Sequence, residues 1–275
     1  MRRIQIVTDS TAYFIKEEAI SKKINIVPLS VNFSGSINKE GFSGEFKDFF
    51  DKLKNSNGFP TTSQPSVGDF VEAYKRAFKA GDEIIAIVIS AELSGTYNSA
   101  RLAADMVAKD KITIIDSKTS AGNLKLLVET AVQLSEQGLS RNEIENQIIK
   151  QRERMSINLT VDTLEYLKRG GRLSNTTAFI GTLLNIKPVI GLVDGKLVPV
   201  GKERGKKKAM EAIISKVPEI VKRISIAHVQ NISEAEQYKS ELEKRFPNAI
   251  ITIDELGPVI GSHLGPKAIG LCSSW

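Results

Sequence analysis

Side chains able to take hold of a small anionic group recur at three places along the chain. Phe59-Pro60-Thr61-Thr62-Ser63-Gln64-Pro65-Ser66 carries hydroxyls at Thr61, Thr62, Ser63 and Ser66 between two prolines. Proline fixes its own φ and drives the residue before it into an extended conformation, so these hydroxyls sit on a stiff segment. Ser94-Gly95-Thr96 follows an apolar run at the point where a helical pattern begins, and the first free amides of a helix favour an anion. His263 lies in a glycine-rich segment near the end of the chain, where backbone can come close to a ligand. Hydroxyls, helix-start amides and an imidazole make a carboxylate clamp without metal or lysine. They also satisfy a weaker description, a nucleophile beside a base. Ordinary loop and capping chemistry accounts for the hydroxyls taken singly.

Other candidates carry less. Asp9 and Asp116 end two apolar runs, where both capping and ligand contact at strand ends are open to them. His228, within Ile226-Ala227-His228-Val229, reads as a satisfied structural histidine. Lys168-Arg169-Gly170-Gly171-Arg172 could hold a phosphate, although turn formation explains its glycines equally well. The chain has no Walker loop, no GxGxxG after a strand and no GxSxG elbow. No residue is assigned a catalytic or metal-binding role, since two histidines and one cysteine are too few for a structural zinc site.

Alternating strand and helix patterns position these groups. Ile4–Val7, Ile24–Phe33 and the unalternating run Glu83–Ser90 read as strands, the last buried on both faces, and Ile112–Ile115 follows. Helices are expected over Tyr13–Ser21, Phe46–Leu53, Ser66–Ala80, Tyr97–Ala108, Asn123–Gln137 and, after a Ser140/Glu143 capping box, to Arg154. Thr61–Ser63 is read as loop. This alternation predicts a mostly parallel α/β sheet domain over residues 1–155. The pattern then changes: strand Ser156–Val161, short helix Thr163–Arg169, helix Thr176–Leu184, and a hairpin at Asp194-Gly195 joining Lys187–Val193 to Lys196–Val200. Helices Lys206–Val217 and Ser233–Phe246 and strands Ser225–Val229 and Ala249–Leu256 complete an α+β domain over 156–275. Gly257 to Leu271 is read as a glycine-rich terminal stretch.

Composition narrows the class. The 275 residues can bury a sizeable core, and 41% hydrophobic with 25% charged residues is the balance of a soluble globular protein. No apolar run is long enough to span a membrane, and Met1-Arg2-Arg3 leads directly into a strand rather than a signal-peptide core. The single Cys272 excludes an internal disulfide and fits a reducing, cytoplasmic setting. A net charge of +6 invites a nucleic-acid surface, but basic residues are interleaved with acidic ones. The one dense run, Lys202–Lys208, has no aromatic residues among it and reads as a solvated face or a partner-docking surface.

Val7-Thr8-Asp9-Ser10-Thr11, Thr62-Ser63-Gln64-Pro65-Ser66, Leu93-Ser94-Gly95-Thr96-Tyr97-Asn98 and Ile115-Asp116-Ser117 together resemble the DegV family. Lys168-Arg169-Gly170-Gly171-Arg172-Leu173-Ser174, Gly261-Ser262-His263 and Gly265-Pro266-Lys267-Ala268-Ile269-Gly270 extend the resemblance over the whole chain, in order. The resemblance implies a two-domain α/β protein, not itself an enzyme, that holds one long-chain fatty acid, such as palmitate, stearate or oleate, in a tunnel between its domains. It implies no cofactor. It further implies that the carboxylate is presented to a separate ATP-dependent fatty acid kinase subunit for phosphorylation. By motif, Thr62 and Ser94 would supply hydroxyls, Gly95 an amide and His263 a third partner, with Ser63 and Arg172 secondary and Arg204 in a basic kinase-docking segment. The chain supplies affinity: at about 0.8 kcal/mol per buried methylene, some fifteen methylenes offer on the order of 12 kcal/mol before ordering costs. Two other classes stand beside this one. An enzyme acting on a small carbonyl or acyl substrate, similar to dihydroxyacetone kinase substrate domains, requires a small polar pocket, and a DNA-binding regulator requires steep salt dependence.

Overall fold

Most of the expected strands and helices are present in the computed structural model, which describes residues 3–56, 58–173 and 185–275. The helix expected over Thr176–Leu184, and Ser174 of the glycine motif, lie outside the described residues. In chain order, β1 (Ile4–Asp9) passes through a 3-10 turn to α1 (Lys16–Ser21), β2 (Asn25–Val27), β3 (Ser30–Phe33), β4 (Ser36–Lys39) and α2 (Lys47–Lys54). Then follow β5 (Thr61–Ser63), α3 (Val67–Phe78), β6 (Glu83–Val88), α4 (Thr96–Val107), β7 (Ile112–Asp116), α5 (Ala121–Glu136) and α6 (Arg141–Arg152). The remainder comprises β8 (Met155–Thr160), α7 (Glu165–Gly170), β9 (Ile186–Val193), β10 (Lys196–Arg204), α8 (Lys206–Ser215), β11 (Arg223–His228), α9 (Ile232–Arg245), β12 (Ile250–Glu255), α10 (Pro258–Leu264) and β13 (Ile269–Ser274).

Three sheets result. β2-β1-β6-β7 is wholly parallel, as the alternation of apolar strands and helices requires. β10-β9-β8-β13-β11-β12 is antiparallel except for the β11–β12 pair. A small antiparallel sheet, β4-β3-β5, carries the hydroxyl-rich segment. The hairpin between β9 and β10 turns at Asp194 and Gly195, both at positive φ (48° and 81°), the geometry Asp-Gly supplies in a two-residue loop. Capping boxes at Ser66/Asp69 and Ser140/Glu143 start α3 and α6.

α5 packs between the two larger sheets, touching β1 and β6 on one side and β8, β11 and β13 on the other. A helix contacted on both sides must be apolar around much of its girth, and Leu124, Leu127, Val128 and Ala131 are fully buried. Its Glu129 is gripped by Lys22 at 2.7 Å and Arg223 at 3.0 Å, one from each side of the interface.

Several expectations are corrected. The helix expected from Tyr13 begins only at Lys16. Asp9 accepts hydrogen bonds from Thr11 N and Oγ1, closing a 3-10 turn, and Tyr13 then takes a left-handed φ of 51° that stops propagation. Thr61–Ser63 is a short strand on β3, with Thr62 opposite Val31, rather than free loop. β4 was not expected, because Ser36–Lys39 is exposed throughout and shows no apolar alternation. The terminal stretch is not a loop: Pro258 starts α10 at a position where its missing N–H costs nothing, and β13 lies inside the six-stranded sheet.

Candidate functional site

A cavity of about 290 Å³ lies where the three sheets meet. Its wall is mostly aliphatic: Leu29, Ile89, Leu159 of β8, Leu197 of β10, Leu256 and Val259 of α10 all face it and are buried. At one end the wall becomes polar and only half-buried, through Thr62, Ser94, Arg172 and His263, with the exposed Ser63 and Gln64 beside them. The cavity therefore reaches the surface at its polar end.

β5 presents Thr62, and the last turn of α10 presents His263; their Oγ1 and Nε2 atoms are 2.7 Å apart. Burial and the neighbouring Arg172 charge push the His263 imidazole down to about 4, so it is neutral near pH 7. Its Nδ1 is buried without a partner against Gly170, where a Cβ would stand 2.1 Å away. In the tautomer protonated at Nε2, His263 donates to Thr62 Oγ1 and leaves the Thr62 hydroxyl hydrogen for a ligand oxygen.

Arg172 is held by its own loop. Its Nε donates to Leu93 O at 3.3 Å and one terminal nitrogen donates to Gly170 O at 2.5 Å. Among the described residues no carboxylate lies within ion-pair distance of it. A guanidinium on the wall of an apolar cavity, with no acid beside it, is a standing demand for an anion.

The helix-start reading of Ser94 is right in part. Gly95 is the N-cap of α4, while Ser94 Oγ contacts Thr96 Oγ1 at 2.8 Å and accepts from Thr96 N at 3.4 Å. Ser94 nevertheless faces the cavity. Gly95 does not: the Gln64 side chain lies across it, and a Cβ there would stand 2.3 Å from Gln64 Oε1. Arg204 is exposed at the end of β10 and is not on the cavity wall.

The remaining candidates are structural. Asp9, fully buried, accepts from Thr11 and from Ile89 N at 2.6 Å, and Asp116 accepts from Ala91 N and Lys118 N. His228 Nδ1 accepts from Asn231 N at 3.2 Å, and burial lowers its pKa. Gln64, like Ser120, is a polar wall residue that sequence reasoning missed. It stood inside the quoted motif, but an amide beside three hydroxyls carried no distinguishing signal.

A family model described as "Uncharacterised protein, DegV family" matches residues 3–274. The chain belongs to the DegV family. A DegV domain-containing protein of Halalkalibacterium halodurans is 37% identical over 281 residues, covering 100% of this chain and 99% of its own. DegV from Bacillus subtilis, described as a fatty acid binding protein, superposes with a TM-score of 0.88 at 34% identity over the whole of both chains. A stearic acid-binding protein from Eubacterium ventriosum superposes with a TM-score of 0.87 at 27% identity, over 100% of this chain and 98% of its own. The two solved structures are described as fatty acid-binding proteins, and this chain shares their mixed α/β architecture.

Proposed function

We propose that the protein binds one long-chain fatty acid with its chain in the aliphatic cavity and its carboxylate at Thr62, Ser94, His263 and Arg172. The observation that carries this reading is the Arg172 guanidinium, with no carboxylate beside it among the described residues, next to the neutral Thr62–His263 pair at the polar end of an apolar cavity. An apolar tail meets the aliphatic wall, and a carboxylate meets hydroxyls and a cation. A small polar substrate would leave most of that wall facing water, which disfavours the enzyme alternative.

The reading extends to presentation of the carboxylate to a separate ATP-dependent kinase subunit. The half-buried polar end supports this extension, since a partner must reach the carboxylate while the chain stays covered. The donors that hold the carboxylate would equally stabilise charge on a phosphoryl group forming there. Residues 1–155 and 156–275 act as two domains closing on the acid, in the cytoplasm. Among the described residues no helix is long and apolar enough to cross a membrane.

Native mass spectrometry before and after solvent extraction tests the reading. The expected result is one fatty acid per chain, lost on denaturation. A protein that stays empty when offered palmitate, stearate and oleate would overturn it.

A further inference from the structure

A second polar group lies on the cavity wall, apart from the four that the carboxylate reading uses. Ser120 is the N-cap residue of the sixteen-residue helix α5, the position at which a serine hydroxyl normally accepts from its own helix. Here it makes no such bond. Its backbone is fully extended (φ −161°, ψ −179°), and Ala121 then takes a left-handed φ of 51°, an uncommon conformation for alanine. This twist separates the serine side chain from the amides it would cap.

The Ser120 carbonyl is turned into the helix, accepting from Leu124 N at 3.3 Å, so its side chain is what the residue offers the cavity. Ser120 is only 5% exposed, and its Oγ is buried with no hydrogen-bond partner. A buried hydroxyl without a partner is costly, and a plain polymethylene chain cannot relieve the cost. The cavity lining also includes the small side chains of Ala121, Ala227 and Cys272.

We propose that Ser120 forms a polar subsite for a hydroxyl group carried along the acyl chain, so that the protein takes hydroxy fatty acids. The proposal rests on the fatty acid reading and refines its ligand class. A chain hydroxyl can meet the Ser120 hydroxyl either as donor or as acceptor, in one hydrogen bond. A keto or epoxide oxygen would satisfy only the donor.

The test compares wild type with Ser120→Ala and the near-isosteric Ser120→Cys. Each is titrated with stearate and with hydroxystearates carrying the hydroxyl at an early, a middle or a late chain carbon. At one position, wild type should prefer the hydroxy acid over stearate by about tenfold more than Ser120→Ala does, the factor one such hydrogen bond is worth. Ser120→Ala should also bind stearate more tightly than wild type, because the orphan hydroxyl is gone. Ser120→Cys, a weak donor, should fall between them. A preference that is the same in all three proteins at every position overturns the subsite while stearate binding stands. Failure of stearate itself to bind overturns the parent reading, and this one with it.

Discussion

His263 Nε2 and Thr62 Oγ1, 201 positions apart in sequence, meet at 2.7 Å at the polar end of the cavity. Each holds the other: the imidazole fixes the hydroxyl's direction, and the hydroxyl satisfies one of two ring nitrogens in a buried place. Thr62→Val keeps the shape and removes the donor. It should weaken fatty acid binding by about 1.5–3 kcal/mol, the usual worth of a hydrogen bond to a charged group, read as bound lipid per chain across a titration. Full occupancy at limiting lipid in Thr62→Val would take Thr62 out of the site.

Gly170 is needed for a different reason. Its α-carbon abuts the imidazole so closely that an added Cβ would stand 2.1 Å from Nδ1 and 3.0 Å from Cε1 of His263. Its φ is not in the left-handed region, so alanine is tolerated by the backbone and the clash is with the ring alone. Gly170→Ala should therefore push the ring off Thr62 and weaken lipid binding by about 1–3 kcal/mol, the typical cost of overpacking. Melting temperature should fall little, since the ring can swing towards the half-open end. A loss of fold matching the loss of binding would count against this account.

Arg172 and His263 are coupled through charge. Burial, then the guanidinium, hold the imidazole down to about 4, below an unfolded value near 6.5. A histidine depressed by folding costs stability as pH falls: the unfolded chain takes up its proton near 6.5 and the folded chain does not. Relative to His263→Gln, the empty protein should lose stability between about pH 6.5 and pH 4. A bound carboxylate offers the ring an opposite charge, so the loaded protein should lose less over the same range. Thermal melts of both forms across that window, each referenced to His263→Gln, check the sign. In Arg172→Gln the ring's titration, followed by NMR, should move upward.

Glu40 titrates in the opposite direction. It is buried, with one oxygen accepting from Ser10 Oγ at 2.6 Å and the other from Val259 N at 2.7 Å, at the start of the helix that carries His263. Burial pushes its carboxyl up to about 7 despite those donors, and the Asp9 charge adds to the rise. An acid raised by folding contributes stability that is complete below its unfolded value near 4.5 and lost as pH rises through 7. The Glu40 contribution should accordingly be lost from about pH 4.5 to pH 7, by up to roughly 3 kcal/mol, opposing the His263 effect over the same range. Glu40→Gln should flatten that slope. An equal slope in the variant would show that another group carries it.

Much of this architecture is legible in the sequence because it is written locally. The unalternating run ending at Ser90, the Asp-Gly hairpin and the two Ser-x-x-Asp/Glu capping boxes each fix an element from its own residues. What was misread depends on distant partners. Thr61–Ser63 becomes a strand only because β3 offers an edge, and β13, with glycine and two serines among six residues, is a strand because β8 and β11 flank it. The site shows the same division. Thr62, Ser94, His263 and Arg172 stand out by residue type and motif, whereas the want of an acid beside Arg172 among the described residues and the unspent hydroxyl of Ser120 are relations to groups that are absent nearby. No local motif encodes an absence.

The basic run after β10 separates into two parts. Lys206 is engaged: its Nζ lies 2.5 Å from Glu234 and donates to Lys267 O at 2.9 Å, tying α8 to α9 and the segment after α10. Reversing it would damage the fold and confound any test of docking. Arg204, Lys207 and Lys208 are exposed and make no ion pair among the described residues. If this face meets a kinase, the triple substitution Arg204→Glu, Lys207→Glu and Lys208→Glu should slow acyl phosphate formation at least tenfold in low salt, by converting electrostatic steering into repulsion. Lipid occupancy should stay at the wild-type value, because none of the three lines the cavity. Raising the ionic strength should narrow the gap between wild type and variant, as screening removes the long-range part. Equal rates at low salt would reduce the run to a solvated face and leave the fatty acid reading intact.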